Sequence, residues 1–409
     1  MISPLKIILL ACAACAGLVS EVRAAETTNG LPRVFCASPQ ALVTANALIA
    51  AHDVSIQPAF DQLLAEANRA LKAKPASVMD KKQIPPSGDK HDFVSQAPYY
   101  WRDTNSPGGK YIRHDGERNP EAAEDSDAGH FGAVCSNSHA LALAFYFSGD
   151  EKYAARAAEI IRVWFLNSGT RMNPNFNFGQ AIPGEVEGRA AGLISARGLV
   201  DLVDAMGLLA GSKSWTVADQ QGMTAWVDKY LNWLVTSKIG RSEGAADNNH
   251  GTFYDTQVIA LALYVGKNDL ARQYLLEART KRIAQQIEPD GRMPRELGRT
   301  LSFNYSLFNL RALIDLASLG QNAGLDLWQY QTADGRSILK ALEFVAKYGD
   351  PKQKWPFQQI HAPNRSGLAE LLLRAAPQYP QSVLMGDLKF FDAKELEANP
   401  LRLTFVTAK

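Results

Sequence analysis

Two short segments hold the side chains best able to do chemistry. DNNHGTFYDTQ (247–257) sets His250 beside the amides Asn248 and Asn249, just before an apolar run. Histidine has a reference pKa near 6.5 and is the natural proton acceptor near neutrality. The same amides can cap a helix, which would make His250 a surface residue only. EPDGRMPRELGRTLSFNYSLFNL (288–310) carries Arg292, Arg295 and Arg299 in or near a Gly/Pro-containing turn. Tyr305 follows Arg299 by six residues and opens an apolar helix. Tyrosines so placed usually pack, with one satisfied hydroxyl. A guanidinium grips a carboxylate at two points. From Arg279 to Arg311, seven basic residues stand against three acids, a local excess of +4. Lys281 and Arg282 read as a solvated helix face, whereas the three turn arginines read as a site. Such residues can bind an anion and move a proton beside it.

The elements that must position them are helical. SHALALAFYF (138–147) and EKYAARAAEIIRVWFL (151–166) are apolar at helical spacing on either side of Ser148-Gly149-Asp150. Segments 185–210, 216–237, 253–265, 268–286, 303–319 and 335–348 behave alike. ALAFYFSGDEKYAARA (142–157) is echoed by ALALYVGKNDLARQYL (260–275), and more loosely by 313–330. Repeated helical hairpins predict an all-α fold, an α/α solenoid or closed toroid. Segments 82–127, 167–184 and 287–302 are not helical, and in a toroid such loops gather at one end and build the site. Residues 25–409 read as a single toroid domain. No GxGxxG or P-loop occurs.

Composition narrows the partners. The 409 residues carry 43 Lys+Arg and 42 Asp+Glu, a net charge of +1. That balance argues against a general nucleic-acid or membrane-surface binder. Residues 1–24 read as an export signal, with Lys6 before the apolar stretch Ile7–Val19 and a cleavage site after Ala24. The predicted location is periplasmic or secreted, with no later membrane span. The remaining chain balances 41 basic against 41 acidic residues and keeps Cys36 and Cys135. An oxidising compartment permits a disulfide between them; two buried free thiols are the alternative. Residues 25–409 hold no CxxC pair, so no structural zinc site is expected.

NNHG (248–251) followed by ELGRTLSFNY (296–305) resembles the alginate lyase superfamily, which includes polysaccharide lyase families five and thirty-eight. PYYW (98–101) with DGERNPE (115–121), and NFGQAIPGE (177–185), resemble two further blocks of it. The likeness runs from about residue 90 to 330, and the Arg–Tyr spacing is closer to family thirty-eight. It implies an α/α toroid that cleaves uronate polysaccharides by β-elimination, alginate or glucuronan, with no cofactor. Asn249, His250, Arg299 and Tyr305 fall at the superfamily's catalytic positions. A uronate C5 proton leaves only if charge on the C6 carboxylate is stabilised. Asn249 and Arg299 have the groups to do that. Tyr305 would be base, acid or both, with Arg299 favouring its phenolate, and His250 is the other candidate base.

Tyr100 and Trp101 offer stacking faces to sugar rings. Gln180 can hydrogen-bond a hydroxyl or carboxylate, and Arg292 and Arg295 can meet substrate carboxylates. Tyr254, four residues after His250, shares its side of the helix start. His114 and His139 are further cleft candidates. Two rival readings are a toroid glycoside hydrolase and a non-catalytic carbohydrate-binding protein. A hydrolase needs two flanking carboxylates. Asp115, Glu117, Glu185 and Glu187 are available, but no pair stands out.

Overall fold

The structure is a computed structural model and describes residues 30–105, 108–124 and 126–405. Segment 1–24, expected to be an export signal and holding Cys12 and Cys15, lies outside the described residues.

Helices α1 (Pro39–Ala50) and α2 (Gln57–Lys72) precede the first repeated hairpin. That hairpin is α3 (Asp127–Ser148) and α4 (Glu151–Ile161). Ser126 caps α3 by accepting from the Ala128 N–H, and Gly149 ends it in the left-handed conformation that glycine tolerates. Asp150 then caps α4 through the Lys152 N–H. After α5 (Leu199–Leu208), α6 (Val217–Thr236) and α7 (Lys238–Gly244) comes the second hairpin, α8 (Asn249–Tyr264) and α9 (Asn268–Ala278). Both outer helices end in a π-helical turn, Arg162–Leu166 after α4 and Arg279–Ala284 after α9. The echo between 142–157 and 260–275 is thus a structural repeat. The looser third copy is not, because α11 (Ser302–Asn322) runs into turns rather than a second helix. The one-turn α10 (Pro294–Leu297) precedes it, and α12 (Ile338–Ala346) and α13 (Arg365–Ala375) follow.

Helices α3, α5, α8 and α11 pack side by side, with α4, α9 and α12 against their outer faces. The result is the predicted α/α toroid. Helix α8 is buried on nearly every side, as expected for a wall shared by inner and outer layers. The expected helix over 185–210 is shorter. Residues Ala190–Gly198 form a 3-10 turn and only α5 is α-helical. Gly188 and Gly192 press against the backbone of Asn177 and Gly179, leaving no room for side chains there.

Short strands shape the loops of the open end. β1 (Val94–Gln96) pairs in parallel with β4 (Phe178–Ala181), and β2 (Tyr100–Arg102) pairs antiparallel with β3 (Tyr111–Arg113). The opposite end is crossed by residues 33–37. The Asp204 carboxylate on α5 accepts the N–H groups of Phe35, Cys36 and Ala37. Asn322, at the end of α11, donates to the Phe35 and Ala37 carbonyls. Arg33 donates to the carbonyl of Tyr264, the last residue of α8. Cys36 and Cys135 are both buried and free, so the disulfide does not form. Cys36 lies in this strap against Asp315, while Cys135 packs on Gly198. Among the described residues no helix is long and apolar enough to cross a membrane.

Candidate active site

The N-terminal ends of α8 and α11 carry the site. Asn248 caps α8 by accepting from the His250 N–H at 3.1 Å, which fixes the first turn on which Asn249 and His250 sit. Gly251 is required there, since a Cβ would strike the Ala246 carbonyl and Arg282. Arg282 is not the solvated residue its sequence context predicts. It is buried, pairs with Asp255 at 2.7 Å and donates to the carbonyls of Gly244 and Ala246. It thereby ties the loop before the site to α8. Lys281 is exposed and pairs with Glu277, as expected.

Asn249 is almost fully buried. Its backbone N–H and its amide both donate to Glu296, at 2.7 Å and at 2.8 and 3.0 Å. One amide nitrogen cannot aim both hydrogens at a single carboxylate, so the second N–H stays uncommitted. Burial pushes the Glu296 carboxyl up, opposed by the Asn249 N–H groups and by the charges of Arg299 and His250. His250 Nδ1 lies 2.6 Å from Glu243 Oε1, and Glu243 is buried. A carboxylate on Nδ1 selects the tautomer with the proton there, so neutral His250 presents a basic Nε2.

Arg299 does not hold its charge free for a ligand. Its Nε and Nη2 form a bidentate pair with Asp115, the closest contact being 2.5 Å. The Thr300 N–H adds to this clamp at 3.1 Å. Burial pushes the Asp115 carboxyl up, but these donors outweigh it and hold it well below the usual range. Gly116 follows at φ +81, where a Cβ would sit 2.5 Å from Thr300 Oγ1, so the DG turn admits only glycine. The Arg299 guanidinium stacks on the Tyr305 ring, 3.6 Å from its centroid. The Tyr305 hydroxyl donates to the Tyr99 hydroxyl at 2.6 Å. Arg299 does not make Tyr305 a phenolate. Burial and the Tyr99 bond raise the phenol well above the ordinary tyrosine value, and the neutralised Arg299 only partly offsets them. A raised value keeps the proton on as pH rises through about 10. In an ultraviolet tyrosinate titration, the ionisation lost in Tyr305→Phe should therefore fall above those of the exposed tyrosines. A lost step near pH 10 would contradict this environment.

Gln180 is held in a left-handed conformation at φ +48, a costly backbone for a non-glycine residue. Its N–H donates to Ser95 Oγ, and its side-chain oxygen accepts from Arg189 Nη2 at 2.7 Å. Arg189 also stands 5.0 Å from the Tyr100 ring centroid and lies in the field of Glu243. It was not legible as a site residue, and neither was Tyr99. Tyr100 and Trp101 alternate along β2, so they point to opposite faces of the hairpin. Tyr100 faces Arg189, whereas Trp101 donates to the Glu117 carbonyl and sits beside His114. Tyr254 is a packing residue, buried with its hydroxyl donating to the Leu234 carbonyl at 3.2 Å. Arg292 pairs with Glu288 and Asp290 on the surface, and exposed Arg295 pairs with Asp247. The predicted +4 patch therefore does not exist as a patch. Asp115, Asp247, Asp255 and Asp315, drawn from elsewhere in the chain, neutralise Arg299, Arg295, Arg282 and Arg311.

Below this mouth a cavity of about 870 Å³ runs between α3, α5, α8 and α11. Pro98, Gln180, Phe253, Phe308 and Asp315 are among the residues that line it. Asn249, His250, Arg299 and Tyr305 do not line it, and each of these side chains is held by a partner. Among the described residues no His, Cys, Asp and Glu group is arranged to hold a metal ion.

The alginate lyase family model matches residues 77–355. The crystal structure of an alginate lyase from Bacteroides ovatus is 38% identical and superposes with a TM-score of 0.88, covering 92% of this chain and 100% of that one. Alginate lyase A1-III from Sphingomonas species A1 is similar in fold at 15% identity, covering 87% of this chain and 98% of its own, with a TM-score of 0.53. A variant of alginate lyase A1-III complexed with tetrasaccharide matches at 15% identity over 85% and 95% of the two chains, with a TM-score of 0.55. No curated protein sequence matches the chain.

Proposed function

The chain belongs to the alginate lyase family and is a polysaccharide lyase, and we propose that it cuts alginate by β-elimination at the 4-O bond. The observation that carries this reading is the joined rim of the site. His250 is oriented by Glu243, Asn249 by Glu296, and Tyr305 lies under a clamped Arg299. These are a base, an amide donor and a proton-bearing phenol at the ends of two adjacent helices. The relative from Bacteroides ovatus is an alginate lyase, which supports the substrate class.

In the proposed step the C5 hydrogen leaves as a proton. Its electrons form the C4=C5 double bond as the C4–O bond breaks, and the leaving oxygen takes up a proton. On guluronate, where C5–H and O4 lie on opposite faces, His250 Nε2 takes the first proton and Tyr305 gives the second. On mannuronate and glucuronate they share a face, and the neutral Tyr305 hydroxyl gives its proton to the leaving oxygen as the same oxygen takes the C5 proton. The second N–H of Asn249 meets charge building on the C6 carboxylate, and Arg299 orients the phenol. None of these steps calls for a metal. We place the enzyme in the periplasm or outside the cell, on the strength of segment 1–24.

Incubation with alginate and with glucuronan, read by ultraviolet absorbance, tests the function. A conjugated unsaturated uronate should accumulate, and it should do so equally in the presence of a chelator. New reducing ends without absorbance would show a hydrolase. Binding without either would show a carbohydrate-binding protein.

A further inference from the structure

Five residues separate Arg299 from Tyr305, and one segment from later in the chain, 355–364, holds every one of them. The Thr300 carbonyl accepts the Ile360 N–H at 3.0 Å, and Leu301 pairs with Gln359 across an isolated β-bridge. The Ser302 N–H and hydroxyl both donate to the Gln358 carbonyl, at 3.2 and 2.5 Å. The side-chain amide of Gln359 holds the next two residues. Its oxygen accepts the Phe303 N–H at 3.0 Å, and its nitrogen donates to Asn304 Oδ1 at 3.0 Å. Asn304 Oδ1 also accepts the Asn364 N–H at 3.1 Å, so it is an acceptor and the end of Gln359 that faces it is the donor.

Helix α11 cannot cap itself. Its N-cap is Leu301, an apolar residue with no side-chain bond to the first turn. The first N–H groups of a helix have no partner within it. On α8 Asn248 supplies one from the position just before the helix. On α11 the acceptors come from Gln358 and Gln359, 56 residues beyond the N–H groups they meet. The segment that brings them is irregular and largely exposed, and Trp355 anchors it. The Trp355 ring lies against Phe303, Phe344 and Tyr348, with centroids 5.0, 5.8 and 4.8 Å away. Its indole N–H donates to the Ser302 hydroxyl at 2.7 Å. The region matched by the family model ends at Trp355, so Gln358 and Gln359 lie just beyond it.

The effect of this cap falls on the phenol. The Tyr305 N–H donates to the Leu301 carbonyl at 2.9 Å, so the turn carrying Tyr305 closes on a residue that Gln359 holds. At the other end of the stretch, the Thr300 N–H donates to Asp115, the acid that clamps Arg299. The path of residues 300–304 therefore sets the 3.6 Å stack of Arg299 on Tyr305. A misplacement of about 1 Å at a reacting group costs up to roughly a hundredfold in rate.

We propose that Gln359 is a positioning residue for the elimination, holding the Tyr305 phenol in place by capping the turn that carries it. This rests on the reading of Tyr305 as the proton carrier. The test compares Gln359→Leu, which removes both amide bonds, with Gln359→Glu, which keeps an oxygen for the Phe303 N–H at the positive end of the helix. In Gln359→Leu, kcat on mannuronate should fall roughly tenfold to a hundredfold while KM stays within about twofold, because the lost bonds touch the proton carrier and not the bound sugar. Gln359→Glu should recover part of kcat. A second readout is independent of turnover. The tyrosinate ionisation assigned to Tyr305, by its loss in Tyr305→Phe, should move to lower pH in Gln359→Leu, since a loosened phenol leaves its buried place beside Tyr99. An unchanged kcat, a loss that appears only in KM, or an ionisation that stays where it was would overturn the proposal. Should Gln359→Leu fail to fold, Gln359→Asn is one methylene too short to make both bonds and carries the same expectations and the same refutations. If the unaltered protein makes no unsaturated product while the ionisation still moves, the lyase reading falls and the positioning of Tyr305 by Gln359 stands.

Discussion

Tyr305→Phe should abolish turnover on mannuronate, guluronate and glucuronan alike while leaving the protein folded. The substitution deletes one oxygen. The ring remains in place beneath Arg299, so the 3.6 Å stack and the bidentate grip of Asp115 on Arg299 survive. What disappears is the 2.6 Å bond to Tyr99, a loss of about 1 kcal/mol in stability, and the phenolic proton stacked beneath Arg299. General acid–base catalysis by one positioned side chain is worth roughly 10²–10⁴ in rate, and on same-face substrates Tyr305 supplies both transfers. The measurement is the initial rate of ultraviolet product on each polymer, paired with a melting curve. Near-normal rates would remove Tyr305 from the mechanism. A lost rate with an unchanged melting curve is the expected pair.

The helices were legible because their apolar spacing and caps are local signals. Ser126, Gly149 and Asp150 punctuate the first hairpin at the residues where its turn occurs. The site was legible where its residues lie on those helix starts, as Asn249, His250 and Tyr305 do. It was not legible where function depends on partners distant in sequence. Counting charge over residues 279–311 gave an excess of +4. The acids that cancel it arrive from Asp115, 184 residues before Arg299, and from Asp247 and Asp255. The cations left without such partners among the described residues, Arg118, Arg189 and Arg197, stand in segments with no basic run to announce them. Tyr254 shows the reverse failure. Spacing by four put it on the side of His250, but that side of α8 is packed against Gly244 and the Leu234 carbonyl. A helix buried on nearly all faces has no solvent side for such spacing to mark.

His250→Ala should cost guluronate cleavage at least as much as mannuronate cleavage, by roughly 10²–10⁴ on guluronate. The reason is geometric. A proton on the face opposite O4 cannot be reached by the group that protonates O4, so guluronate needs a second side chain. His250 is the one whose Nδ1 is already committed to Glu243, which aims Nε2 outward. Alanine also strips buried Glu243 of its partner, and a buried carboxylate left alone is destabilising. His250→Asn separates the two effects, because its amide nitrogen falls near the place of Nδ1 and can still donate to Glu243. It restores the partner without restoring a base. If the loss reflects missing proton transfer, Asn should melt near the unaltered protein and remain as slow as Ala on guluronate. If the loss reflects a disturbed helix start, Asn should recover rate and stability together. A loss confined to mannuronate in either variant would refute this division of labour between His250 and Tyr305.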